Sequence, residues 1–204
     1  MPPKAKFTRE EIVDSAFDIV RKDGMEALTA RELGKRMGSS PRPIFTVFNS
    51  MDEVRESVVQ KAIELDSEYT KRGLQEKVPF KGVGQSYIRF AQDEPQLFRL
   101  LFMSKPSKRY TVPSMIELFD DICGINPAIE GSYSVNSEDA AWLFQHMWIY
   151  THGIATMCVN GLCTYTDDEI SNRLSEVFSA LISYRSKRRY PNLVALPMEP
   201  CSFG

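Results

Sequence analysis

The sequence predicts an all-α protein, in which an N-terminal three-helix module with a helix-turn-helix precedes a larger helical domain, about nine helices in all. Three observations carry this. Apolar residues recur at spacings of three and four along most of the chain, and no segment alternates as a strand does. At four helix starts a Ser or Thr stands three residues ahead of a Glu.

The elements follow in order. Thr8 with Glu11 opens a helix whose Ile12, Val13, Ala16, Phe17 and Val20 share one face, and Asp23-Gly24 closes it. Thr29 caps a second, short helix while Glu32 reaches back to the cap; Leu28 packs on Leu33, and Gly38 ends the helix by tolerating positive φ. A further helix is expected from Ser40, because Pro41 pushes its predecessor into the extended region that a cap needs. Pro43 denies that cap one N–H and delays the helix by a residue or two. With Ile44 and Phe48 needed inside to hold it, this is the candidate recognition helix of a helix-turn-helix.

Ser50 with Glu53 opens a long helix through Val54, Val58, Ala62 and Leu65 toward Gly73. Helical spacing continues over 83–91, breaks at Pro95 and resumes over 96–103, before a loop at 104–110. Pro113 suits the first turn of a helix running to Cys123, and the pairs Asn126-Pro127 and Gly131-Ser132 mark 124–136 as loop. Residues 137–159 form a helix apolar on nearly every side, so it is buried on several faces. Thr166 with Glu169 caps a last helix to about residue 188, and the prolines of 191–204 mark an extended or disordered tail. The expected domains are therefore 1–50, 51–190 and the tail 191–204.

With 43% apolar and 25% charged residues, the 204-residue chain has an ordinary globular composition. No apolar run approaches the ~20 residues of a membrane span, and the start lacks a signal peptide's apolar run, so a cytoplasmic protein is expected. Cys123, Cys158, Cys163 and Cys201 lack CxxC spacing and read as reduced thiols. Zinc is not expected, and His152 follows His146 by six positions, a poor spacing for one metal on one helix. Nothing calls for a cofactor. The net charge of −2 divides into +2 through Phe48 and −4 beyond, so any nucleic-acid contact is confined to one patch.

Within that patch Arg42 and Thr46 are expected to face base edges. Arginine grips guanine O6 and N7 in bidentate fashion, worth about 1–3 kcal/mol of discrimination. Thr29, Ser39, Ser40 and Phe45 fall near phosphates, although capping alone accounts for the hydroxyls of Thr29 and Ser40. Pro43 shapes the entry to the helix, and Lys4 and Lys6 form either a minor-groove arm or simply a solvated terminus.

The segments Ala27-Leu28-Thr29, Leu33-Gly34-Lys35-Arg36-Met37-Gly38, Ile44-Phe45-Thr46-Val47-Phe48 and Asp52-Glu53-Val54 resemble the DNA-binding domain of the TetR family of transcription regulators. Tyr87-Ile88-Arg89-Phe90-Ala91, Glu94 to Phe102, and Trp148 with His152-Gly153-Ile154-Ala155 resemble one ligand-binding subtype of its C-terminal domain. The resemblance covers residues 7–159. It implies a homodimer on a double-stranded DNA operator, most often a repressor, released when a small-molecule effector fills the C-terminal domain. Where the family often carries tyrosine, histidine and lysine against the DNA backbone, this chain has Phe45, Val47 and Met51. Fewer phosphate contacts weaken binding and flatten its salt dependence.

For the effector, the candidates are Tyr87, Phe90, Phe98, Phe102, Phe119, Cys123, Trp142, Trp148 and Met157, with Gln145 and His146 as buried polar groups in need of a partner. Core packing explains most of the aromatic residues equally well. His152-Gly153 reads as a close helix contact at the glycine. Ile170, Leu174, Val177, Leu181 and Tyr184 form a stripe that is either the dimer contact or internal core. Two other readings stand beside the regulator. One is a DNA-binding architectural or cell-cycle factor without effector, its cavity closed by side chains. The other is an all-helical enzyme pairing His146 or His152 with Cys158 or Cys163, a pair that nothing in the spacing orders, so no enzyme is expected.

Overall fold

The computed structural model describes residues 6–104 and 125–189. Among them are eight α-helices and no strand: α1 (Arg9–Asp23), α2 (Ala30–Arg36), α3 (Met51–Leu74), α4 (Pro79–Asp93), α5 (Pro95–Phe98), α6 (Ile125–Tyr133), α7 (Ser137–Val159) and α8 (Asp167–Arg189). The expected Lys4, the helix from Pro113 with Phe119 and Cys123, and the tail 191–204 lie outside the described residues.

Sequence capping sets the helix starts. At α1 the box is complete: Glu11 N–H donates to Thr8 Oγ1 and the Glu11 carboxylate accepts from Thr8 N–H. Thr166 and Glu169 repeat it at α8. At α2 Thr29 accepts from Glu32 N–H, but the Glu32 carboxylate turns to Lys35, 3.8 Å away, instead of back to the cap. At α3 Ser50 accepts from Glu53 N–H, and the Glu53 carboxylate takes Asn49 N–H and Arg9.

Two expectations about elements are overturned. Residues 124–136, read as loop, contain α6. Pro127 falls in its first turn, where an N–H has no helical partner to lose, and fully buried Ile129 anchors the helix against the cost of Gly131. The recognition helix shrinks to one 3-10 turn, Ile44–Thr46, and Ser40 does not cap it. Pro41 and Pro43 supply carbonyls to Ile44 and Thr46 but no N–H of their own, so tight three-residue hydrogen bonds close the turn (3.1 and 3.2 Å), and a four-residue bond from Phe48 N–H to Ile44 O at 3.0 Å ends it.

One hydrophobic core runs unbroken from Ile12 in α1, through Leu28, Leu33, Ile44 and Phe48, to Val54, Phe90, Ile154 and Leu174. The division expected at residue 50 therefore falls at the cap of a helix shared by both halves, since α3 packs on α1 and on α4. Helices α3 and α4 cross so closely that a Cβ on Gly82 would lie 2.1 Å from Gly73 O. Arg21 of α1 grips Glu94, buried between α4 and α5, through its Nε and Nη2 donors, one to each carboxylate oxygen. After α5 the chain widens into a π-type turn, Arg99–Met103, closed by Ser104 N–H on Arg99 O at 2.9 Å. As expected for a helix apolar all round, α7 packs against α4, α6 and α8.

Candidate nucleic-acid interface and ligand cavity

The reading head is built on a close approach. Gly38 turns the chain at φ +62°, and Gly34 lets it fold back onto α2, where a Cβ would meet Ser40 C and Pro41 N at 3.0 Å. Ile44 and Phe48 then plug the module, both 1% exposed. Arg42, Phe45 and Thr46 consequently face outward, with Ser40 and Thr29 exposed nearby. Arg42 has no ion-pair partner among the described residues. Thr46 Oγ1 donates to Pro43 O at 2.6 Å, which leaves its lone pairs outward. Pro43 is half-buried under the turn, and Lys6 Nζ donates to Ser39 Oγ at 3.3 Å, tying the entering chain to the same face.

The second site is a cavity of about 320 Å³ between α3, α4, α6, α7 and α8. Its wall is largely aromatic: Phe80, Tyr87, Tyr133, Phe144, Trp148 and Phe178. Exposed Val78 and half-buried Lys81 mark its outer end, and Thr70, Tyr87 and Thr151 its inner one. His152 sits behind that inner end. Its ring stacks on Trp148 (5.0 Å, 10°) and on Phe98 (5.9 Å, 27°), and its Nδ1 lies 2.9 Å from Tyr87 Oη. Burial pushes the imidazole down and the phenol up, so both stay neutral and the phenol donates when the ring proton is on Nε2.

A model of the tetracyclin repressor-like C-terminal domain matches residues 80–182. The chain belongs to the TetR family. Similar solved structures include a protein of unknown function from Rhodococcus sp. RHA1 (19% identity, TM-score 0.67, covering 87% of this chain and 97% of that one). A transcriptional regulator from the same organism aligns at 12% identity and TM-score 0.59 over the same shares. A TetR variant from Acinetobacter baumannii AYE in complex with minocycline aligns at 15% identity and TM-score 0.52, covering 90% and 99%. These likenesses carry the fold. Among curated proteins none matches the chain in sequence.

Within this TetR-family fold the expected ligand residues separate. Tyr87 and Trp148 line the cavity. Phe90, Phe98 and Phe102 do not; they form an aromatic layer behind it, with Phe98 and Phe102 centroids 5.0 Å apart. His146 needs no ligand, because its Nδ1 donates to the Trp142 carbonyl of its own helix at 2.8 Å. Trp142 stacks on His146 and Tyr184 on the outer face, and Gln145 and Met157 also lie away from the cavity. Ile170 and Leu174 are 1% and 2% exposed, so these two belong to the chain's own core, and Leu174 is cavity wall; Val177 and Leu181 are half-buried and Tyr184 is exposed. Nor is Gly153 a contact within the chain, since a Cβ there meets nothing within 4 Å.

Among the residues missed are Phe80, Tyr133, Phe144, Met147, Thr151 and Phe178. The spacing 144, 147, 148 and 151 is one helical face, but on a helix apolar all round that face has no contrast with its neighbours. Cys158 and Cys163 are free thiols with their sulfurs 3.6 Å apart. Burial holds Cys158 up at about 11, so it stays protonated near neutral pH. Among the described residues no group of His, Cys, Asp and Glu could hold a metal, and no helix is long and apolar enough to cross a membrane.

Proposed function

We propose that this transcriptional regulator binds an operator through the face carrying Arg42, Phe45 and Thr46, and releases it when a small, largely apolar effector fills the cavity. The observation that carries the reading is the open aromatic cavity, reached by the same helix that supports the reading head. At ~1.5 Å per residue, the 24 residues of α3 run from the Ser50 cap beside the head to Thr70 in the cavity wall. Glu94, which caps the far end of cavity-lining α4, holds Arg21 of α1 and gives a second route between them. A displacement of α4 by an occupant therefore reaches α1 and α3 together. By linkage, operator DNA weakens the effector by the same factor. The minocycline held by the A. baumannii neighbour is in keeping with a ligand in this domain.

Homodimerisation belongs to the same proposal. A single head this small binds weakly, whereas two heads match half-sites on one face of the duplex. Ile149 and Gly153 of α7 lie exposed on one stripe with Trp142, His146 and Met157, beside Tyr184 of α8. That stripe, and not Ile170 or Leu174, is the surface available to a second copy. An effector-free architectural factor would have its cavity closed by side chains, and the open space speaks against it.

The test is fluorescence anisotropy of the full chain with duplexes from its own genomic neighbourhood at low salt, read with and without compounds that raise its melting temperature. Sequence-dependent binding that weakens with a stabilising compound is expected. No sequence preference overturns the reading; preference unmoved by any stabilising compound overturns the effector half of it.

A further inference from the structure

Just behind the inner end of the cavity, beneath Thr70 and Tyr87, lies a group that the reading above leaves unused. Asp66 lies on the buried stripe Val54, Val58, Ala62, Asp66, Thr70 and Gly73 of α3, one turn from Thr70 in the cavity wall. It is 7% exposed, and its Oδ1 has no hydrogen-bond partner. No cation of the described residues pairs with it. The crossing at Gly73 and Gly82, with Tyr69 packed on Phe90 at 5.3 Å, sets the register of α3 against α4 and brings Asp66 close enough for its charge to act on Tyr87. An unpaired carboxylate in a protein interior is strongly unfavourable. None of the described residues brings a positive charge to compensate this one.

Its surroundings specify what would. Six aromatic rings line the cavity, and their faces carry the negative part of the ring quadrupole. Together with a carboxylate they are complementary to a cation on an apolar body. Lys81 stands at the outer end and repels positive charge there, so a cation is driven to the inner end. Trp148 Nε1 is also buried without a partner and is free to donate to the same ligand.

We infer that the effector is a lipophilic amine, its apolar body among Phe80, Tyr87, Phe144, Trp148 and Phe178 and its protonated nitrogen paired with Asp66. This rests on the reading of the cavity as the effector site. The titratable group that faces Asp66 from the packed helices is Tyr87 of α4, whose phenol burial pushes up; it stays neutral near pH 7 and does not compete for the amine.

The test compares 2-(2-naphthyl)ethylamine with its neutral isostere 2-(2-naphthyl)ethanol by calorimetry on the full chain. At about pH 8 the amine binds about tenfold tighter or more, and in Asp66→Asn the gap between the two compounds closes. A second measurement needs no variant. Because burial holds Asp66 up at about 7, amine binding about one pH unit below that expels most of one proton. The proton appears as a dependence of the binding enthalpy on the buffer's ionisation enthalpy. Equal affinities, or amine binding without proton release, overturn the inference and leave the effector site standing. Failure of both compounds to bind overturns both.

Discussion

Burial alone pushes the Asp66 carboxyl up to about 7, because taking the charged form out of water is costly and no cation offsets it. The sign of its effect on stability follows. The folded state binds the proton more tightly than the unfolded chain, so stability is full below the ordinary carboxylate range and is lost as pH rises toward 7. Relative to Asp66→Asn, the wild-type unfolding free energy from urea titration should fall between about pH 4 and about pH 8, by an amount of order 4 kcal/mol at ~1.4 kcal/mol per tenfold change in proton affinity. Parallel profiles for the two proteins would refute the assignment. At the reading head Arg42 is exposed and unpaired, so Arg42→Ala should leave the melting temperature unchanged. If it reads guanine, preference at one base pair relaxes by about 1–3 kcal/mol, measured against a set of single-base operator variants. Unchanged preference removes Arg42 from base readout. Outward Arg42 and inward Ile44 were legible in the sequence, because one short amphipathic turn has only one way to bury its apolar residues. Asp66 was not: in the chain it is one acidic residue among many, and only its place on an apolar stripe singles it out.

Two crossings of elements depend on glycine. Gly34→Ala puts a Cβ 3.0 Å from Ser40 C and Pro41 N, which are backbone atoms of the turn that presents Arg42. The turn must shift, and a loss of about 1–3 kcal/mol with weakened operator binding is expected. Gly82→Ala is more severe, with Gly73 O 2.1 Å from the new Cβ, a backbone clash that moving the Glu76 side chain, 2.6 Å away, does not relieve. It should separate α3 from α4, lower the melting temperature and abolish ligand-induced stabilisation together. Retained ligand binding in Gly82→Ala would show that the crossing does not shape the cavity. Helix starts were readable because a cap is a local contract between a Ser or Thr and the N–H three residues on, as Thr8, Thr29, Ser50 and Thr166 all show. The misread elements are those where local chemistry and packing disagree. Asn126-Pro127 and Gly131 are turn residues held in α6 by Ile129, and the prolines beside Arg42 reduce an expected helix to a single turn.

Across the whole molecule the surfaces of α7 and α8 divide between the chain's own core and the outside. Ile154, Ala155, Ile170 and Leu174 are buried within the chain, while Ile149 is 55% exposed and Tyr184 54%. The sequence shows apolar residues at helical spacing on both helices but not which of them meet a partner, since a stripe for the core and a stripe for a second copy have the same spacing. Positions 142, 146, 149, 153 and 157 follow one another every three or four residues, and Gly153 gives the centre of that line no side chain, so two copies can cross there closely. A charge placed at Ile149 is harmless to a monomer, which already leaves the position wet, and unfavourable in an interface. Ile149→Arg should therefore convert a dimer to a monomer in sedimentation velocity, with the helical signal intact. Operator affinity should then drop by a factor of order 10² or more, as the second head is no longer tethered. The cavity lies inside each chain, so calorimetric binding of a ligand to the monomer should persist, although without any effect on DNA. A variant that stays dimeric places the interface elsewhere; one that becomes monomeric yet keeps full operator affinity means that the heads act singly.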